Sequence, residues 1–323
     1  MPEQSSRPRR PELDRVFQHL AGLAAGVDLS GIGDPQRQWL TAMRATLSRY
    51  GDVGPAVSLE GITFAPVVAN GVAAEWVTAE GASQARRIVY IHGGGWSGGS
   101  PLDYRPLSAT LARLSGASIL MVDYRLAPEH PFPAGLEDCV KAFDWALANG
   151  PASGKAGLAG RDPAERISVA GDSAGGNLSA ALCVRLAERG ARMPDRLVLI
   201  AGTLDNVSMS ERIGLDDPVC TPEVLSFSVS SYLSSSQSAA DPLVSPVFAP
   251  MAILGKFPPT LIQVSTSEAL LHDSKTFADR LERARVRVNL SLWPDLPHIW
   301  HAFLAHLPEA AEALGEVADF TNR

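Results

Sequence analysis

The feature that most narrows the fold is an alternation. Five short runs rich in apolar and β-branched residues recur along the chain: "RRIVYIHGG" (86–94), "ASILMVDYR" (117–125), "RISVAGDS" (166–173), "RLVLIAG" (196–202) and "PTLIQVS" (259–265). Gly, Pro or Ser bounds each run, and helical stretches such as "PLSATLARLSG", "CVKAFDWALANG" and "GGNLSAALCVRLAERG" fall between them. A strand that is apolar on both faces must be covered on both faces, which helices between parallel strands achieve. The pattern therefore predicts an α/β fold with a mostly parallel sheet, and a site in the loops at its carboxyl ends. Residues 12–50 carry helical periodicity without strand signals, and the pattern changes from about residue 57. Residues 205–236 interrupt the alternation as a polar, helix-like insertion, which predicts a cover over something. Within it the serine-rich stretch 226–238 reads as a helix fraying into a loop.

Two glycine motifs sit at strand ends. Gly171-Asp172-Ser173-Ala174-Gly175 follows one strand directly and opens a helix. In a strand–turn–helix setting, small residues two positions either side let Ser173 adopt a strained backbone angle and expose its hydroxyl. The helix N-terminus behind it favours developing negative charge. The bland alternative is a glycine-rich turn with a capping serine. The second motif, "YIHGGGW" (90–96), has three consecutive glycines, whose conformational cost implies a close backbone approach. Amides of Gly93 and Gly94, with that of Ala174, can be aimed at a carbonyl oxygen becoming an oxyanion. A phosphate loop is the rival, but no Lys-Ser/Thr follows and the segment does not lead straight into a helix. Trp96 is a candidate wall of the acyl pocket, and His92 reads as a brace for the loop.

Of seven histidines, His298 follows a strand-like "VNLSLW" (288–293) and the turn "PDLP", just before helical "IWHAFLAHL". A catalytic base belongs at such a strand end. His19, in an amphipathic helix, and His130, in a proline-rich loop, read as structural; His301 and His306 fall inside the following helix.

Charge and composition exclude other classes. A formal charge of −7 argues against a nucleic-acid partner. No window approaches eighteen apolar residues and the N-terminus has no secretory signal, so a soluble, cytoplasmic protein with no membrane partner is expected. Cys139, Cys183 and Cys220 lack metal-type spacing and read as reduced thiols.

Taken together, "HGGGW", "VDYRLAPEHPFPA" (122–134), "GDSAGGNLSAAL" (171–182), "DPLVSPVFA" (241–249), "PPTLIQVS" and "WPDLPHIWHAF" resemble the bacterial hormone-sensitive-lipase-like esterases (family IV) of the α/β-hydrolase fold. The resemblance runs from about residue 85 to the C-terminus. It implies an eight-stranded core over 51–204 and 237–323, with a helical cap from 1–50 and 205–236. It also implies carboxylic-ester hydrolysis of a small-molecule substrate, Ser173 as nucleophile, His298 as base, and a homodimer. Asp123, Tyr124 and Arg125 would brace the site from below. No metal or cofactor is needed for this chemistry.

The acid is where the sequence departs. Relatives commonly read Asp-Glu-x-Leu or Asp-Pro-Leu after this strand, whereas here the segment is Ser267-Glu268-Ala269-Leu270. Registering on the leucine places Glu268 at the acid position, just past the strand end. Asp273, the alternative, looks like an N-cap or first-turn residue of the next helix. The expected mechanism is acyl transfer through Ser173, His298 and Glu268 in the chain order serine, acid, histidine. A lactonase or amidase with the same triad is a second reading, and a non-catalytic small-molecule receptor a third, opposed by the presence of His298.

Overall fold

The computed structural model describes residues 10–23, 27–151, 160–161, 163–208 and 217–323. Two helices come first, α1 (Pro11–Gly22) and α2 (Pro35–Leu47), then the strands β1 (Ile62–Ala69), β2 (Val72–Ala79) and β3 (Ser83–Ile91). From there helices and strands alternate: α3 (Arg105–Ser115), β4 (Ala117–Val122), α4 (Ala134–Ala148), two-residue β5 (Asn149–Gly150) and β6 (Gly160–Arg161), then β7 (Arg166–Asp172). Next come α5 (Ala174–Arg189), β8 (Arg196–Ile200), α6 (Pro222–Tyr232), α7 (Met251–Leu254) and β9 (Thr260–Ser265). The chain ends with α8 (Leu271–Arg283), β10 (Val288–Trp293) and α9 (Pro308–Asn322).

Eight strands form one sheet in the order β1-β2-β4-β3-β7-β8-β9-β10. From β4 to β10 all neighbours are parallel, while β1 and β2 are antiparallel additions at one edge. The apolar runs are buried on both faces, as their lack of alternation predicts. In β4, Ile119 and Met121 belong to the core on one face of the sheet, with Leu111 of α3 and Leu314 of α9. Leu120 and Val122 turn the other way, into the core on the opposite face that also holds Phe143 of α4, Leu182 of α5 and Phe277 of α8. Among the described residues, no helix is long and apolar enough to cross a membrane.

Helix ends follow local chemistry. Asp34 accepts the Arg37 amide at 3.1 Å and precedes a proline that starts α2. Thr221 does the same for α6, accepting the Val224 amide at 3.3 Å before Pro222. Both are N-caps with proline at the first helical position. The helical reading of residues 299–307 is corrected. Only a 3₁₀ turn, Trp300–Ala302, forms there, and α9 starts at Pro308. Ile299 sits in the left-handed region (φ 48°), and the Tyr50 hydroxyl takes the His298 carbonyl, so no helix can begin at that point.

The N-terminal helices attach differently. Leu13, Val16 and Leu20 of α1 bury against Trp300, Phe303 and Leu307. In contrast, α2 has no buried residue, and its Trp39 stacks on Phe227 of α6 with ring centroids 5.8 Å apart. The two helices thus meet over the carboxyl end of the sheet, where Met43 and Leu47 border Gly95 and Gly98. Residues 1–9 and 209–216, parts of the expected cap segments, lie outside the described residues.

Candidate active site

Ser173 occupies the turn between β7 and α5 with φ 51° and ψ −121°, a conformation non-glycine residues rarely adopt. The surroundings force it. A Cβ on Gly171 would lie 2.4 Å from the Gly175 carbonyl oxygen, and one on Gly175 would lie 2.0 Å from that of Ile91. The turn therefore needs glycine on both sides. Gly175→Ala is expected to destabilise the fold by about 3 kcal/mol, read as a lower urea midpoint at unchanged slope. An unshifted midpoint would mean that the helix start can retreat from β3.

His298 lies beyond the carboxyl end of β10 and is buried. Its Nε2 is 3.0 Å from Ser173 Oγ and its Nδ1 is 2.6 Å from Glu268 Oε2. Glu268 is also buried, and its Oε1 accepts the Ser265 amide at 2.7 Å. Burial pushes the Glu268 carboxyl up, against the pull of His298. Burial opposes a charged His298, but the Cys220 sulfur and the Glu268 carboxylate outweigh it and hold its pKa above the ordinary histidine value. Asp273 does not reach His298 in this way. It sits in the first turn of α8, as expected, and accepts the Leu204 and Asp205 amides at 2.8 and 2.9 Å.

The oxyanion assignment needs one correction. The Gly93 amide is already occupied, donating to Tyr104 Oη at 3.0 Å and to Asp172 Oδ1 at 3.2 Å. It cannot also serve a substrate. Gly94 and Gly95 border the cavity that holds Ser173, at φ 115° and 56°, and Gly93 does not. Ala174 begins α5, where a helix leaves its first amides without intrahelical acceptors. The donors facing the cavity are therefore shifted by one glycine. What sets the phase is Asp172, a buried carboxylate that also accepts from Tyr104 at 2.7 Å and Tyr90 at 3.0 Å. Burial raises its pKa to about 6 despite these donors. The aspartate between Gly171 and Ser173 was visible in the motif, but nothing local identified Tyr104 as its partner.

His92 braces the loop, as read. Its Nδ1 contacts the Gly93 carbonyl at 2.8 Å, its ring stacks on Tyr124, and burial lowers its pKa to about 4. Tyr124 in turn donates to the His92 carbonyl at 2.9 Å, and Arg125 pairs with Asp138 at 2.7 Å.

A cavity of about 710 Å³ opens above Ser173 and His298. Its walls include Trp39, Met43 and Leu47 of α2, Leu225 and Ser228 of α6, and Leu107 of α3. That size and apolar lining suit a small organic ligand. Trp96 borders it, but only 2% of the residue is exposed. Its ring lies flat on Tyr232 at 4.5 Å, so Trp96 shapes the wall largely from behind. Two residues that sequence reasoning left without a role also come to the site, Asp217 and Cys220. Both lead into α6, and neither has a local pattern that predicts its proximity to His298.

A sheet of this topology, with serine on a strained strand–helix turn and histidine and acid on later strand ends, defines an α/β hydrolase. Residues 88–302 match a family model described as "alpha/beta hydrolase fold". An esterase of Acinetobacter venetianus is 34% identical over 264 residues, covering 81% of this chain and 82% of its own. Carboxylesterase NlhH of Mycobacterium tuberculosis is 35% identical over 231 residues, 71% of this chain and 70% of its own. The structure resembles that of an esterase from the bacterial hormone-sensitive lipase family, with TM-score 0.79, 33% identity, and 98% and 99% of the two chains covered. EstE5, solved after soaking with p-nitrophenyl butyrate, gives TM-score 0.79 at 33% identity over 97% and 98%. The chain belongs to the α/β-hydrolase fold family, and within it to the bacterial hormone-sensitive-lipase-like esterases.

Proposed function

We propose that this carboxylic-ester hydrolase acts on short-to-medium acyl esters through Ser173, His298 and Glu268 and an acyl-enzyme intermediate. The unbroken hydrogen-bond chain from Ser173 Oγ through the His298 ring to Glu268 carries the reading. His298 takes the hydroxyl proton as Ser173 attacks the ester carbonyl, while Glu268 holds Nδ1–H and so keeps Nε2 free to accept. The oxyanion is received by the amides of Gly94, Gly95 and Ala174, and one such donor is worth about 10²–10³ in kcat. Proton return from His298 to the leaving alcohol frees it, and water then hydrolyses the acyl-enzyme by the same route.

In this reading α2 and α6, within the segments 1–50 and 205–236, form a cap, and the Trp39–Phe227 stack closes it over the acyl chain. A cavity of about 710 Å³ with apolar walls favours acyl groups of a few carbons over long chains. With p-nitrophenyl acetate, butyrate and decanoate, kcat/KM is expected to peak at butyrate and to fall at least about tenfold at decanoate, the effect of roughly 1.4 kcal/mol. A flat profile would remove the cap as the source of selectivity. Activity on lactones or amides but on none of these esters would favour the second substrate class. Three buried free thiols fit the cytoplasmic setting included in this proposal. The homodimer implied by the resemblance belongs to it as well, and light scattering at twice the monomer mass tests it.

A further inference from the structure

Around His298 lies a second cluster, two of whose three members ester hydrolysis does not use. One carboxylate oxygen of Asp217, the Cys220 sulfur and one ring nitrogen of His298 all lie within 4.8 Å of one another, and all three residues are buried. Cys220 and His298 both border the substrate cavity, which provides a route of entry. Asp217 is held in place by backbone: its Oδ1 accepts the Val219 and Cys220 amides at 2.8 and 3.0 Å, and its Oδ2 accepts the Ala269 amide at 3.0 Å. These contacts tie the entry to α6 to the loop that carries Glu268. Oδ2, with a single bond, keeps lone-pair capacity beyond it.

A thiolate, an imidazole and a carboxylate converging on one point are the donor set of a borderline-soft divalent cation. With metal–ligand distances of about 2.0–2.3 Å, tetrahedral ligand atoms stand about 3.3–3.6 Å apart. Side-chain rotations that close the spread of up to 4.8 Å by up to about 1.5 Å would reach that geometry, leaving the fourth position open to the cavity. Magnesium and calcium prefer oxygen donors and do not match.

We propose that Asp217, Cys220 and His298 form a binding site for a borderline-soft divalent cation such as Zn²⁺, and that its occupation inhibits the enzyme by drawing His298 away from Ser173. Binding converts the Cys220 thiol to a thiolate bonded to the metal and releases one proton to solvent, with no change of oxidation state. Both nitrogens of His298 are engaged, Nδ1 by Glu268 and Nε2 by Ser173, so coordination must break one link of the relay. The inhibitory half rests on His298 acting as the base, whereas the site itself does not.

Co²⁺ titrated into the Ser173→Ala variant tests the site without any activity. The expected result is one Co²⁺ per chain with a thiolate-to-cobalt charge-transfer band, lost on adding Zn²⁺. Cys220→Ser or Cys220→Ala in that background is expected to abolish the band, and Asp217→Asn to weaken binding by ~10-fold or more. Matching thermal melts establish that these variants fold. No band, or a band that survives both Cys220 variants, overturns the site. In the unmodified enzyme, Zn²⁺ but not Mg²⁺ is expected to inhibit p-nitrophenyl butyrate hydrolysis, with recovery on chelation. Against its own metal-free rate, Cys220→Ser is expected to need ~10-fold more Zn²⁺ or more. Cobalt binding together with Zn²⁺-insensitive turnover overturns the inhibition. An enzyme inactive before any metal is added overturns the esterase reading, while the cobalt titration still decides the site.

Discussion

Replacing Glu268 with glutamine is expected to lower kcat by about 10⁴-fold while leaving the fold standing. The reason lies in which way the new amide must face. Glu268 Oε1 accepts the Ser265 amide at 2.7 Å, and that donor still needs an oxygen in the variant. The glutamine NH₂ is then turned toward His298 Nδ1, which must accept instead of donate. The ring carries its proton on Nε2, facing Ser173, and can no longer act as base. Loss of the carboxylate should also move the lower limb of the kcat/KM pH profile. His298 is held above its ordinary value partly by Glu268, and the base works only when neutral, so activity rises with pH through that elevated pKa. In Glu268→Gln the residual activity should rise at lower pH. Asp273→Asn is the control. Its carboxylate accepts the Leu204 and Asp205 amides, so the variant should lose about 1–3 kcal/mol of stability and keep kcat within a few-fold. The opposite pattern in these two variants would move the acid to Asp273.

The parts of the fold that could be read from sequence are those in which one residue pattern has one physical meaning. β4 is buried over all six positions, and so is β9, and a continuous apolar run has no other use in a short strand. β1 and β2 are different. At the antiparallel edge, β1 alternates irregularly between half-buried and exposed up to the buried Ala69, with Val68 69% exposed, so its apolar residues do not mark a continuous core face. The convergence of Ser173, His298 and Glu268 was legible because each follows a strand or its turn. Which glycines border the cavity was not, because three identical glycines carry no phase. Their register is set by Tyr104 and Asp172, which draw the Gly93 amide inward. Cys220 and Asp217 were silent for a related reason: their approach to within 4.8 Å of His298 joins the segment before α6 to the last strand's loop, and no local spacing encodes it.

Ser173→Ala is expected to lower kcat by about 10⁶-fold, with residual turnover from the oxyanion donors alone. The more informative comparison is with Ser173→Gly. Both variants lack the nucleophile and should be equally inactive on p-nitrophenyl butyrate and unlabelled by an organophosphate probe. Alanine keeps the Cβ and therefore the strain of φ 51° and ψ −121°, whereas glycine has no Cβ to clash at that angle. A residue held in so sparsely populated a region carries about 1–3 kcal/mol of strain. Glycine also makes the unfolded chain more flexible, which costs about 0.4–1 kcal/mol in the opposite direction. Ser173→Gly is thus expected to unfold at a higher urea concentration than Ser173→Ala, by about 1 kcal/mol in net stability. The strain is then a property of the position and not of the hydroxyl: the glycines at 171 and 175 hold residue 173 in a conformation that destabilises the fold so that its side chain faces His298. Equal stability of the two variants would show that the turn relaxes once the serine is gone, and that the Ser173–His298 hydrogen bond, not the glycine frame, holds the backbone in place.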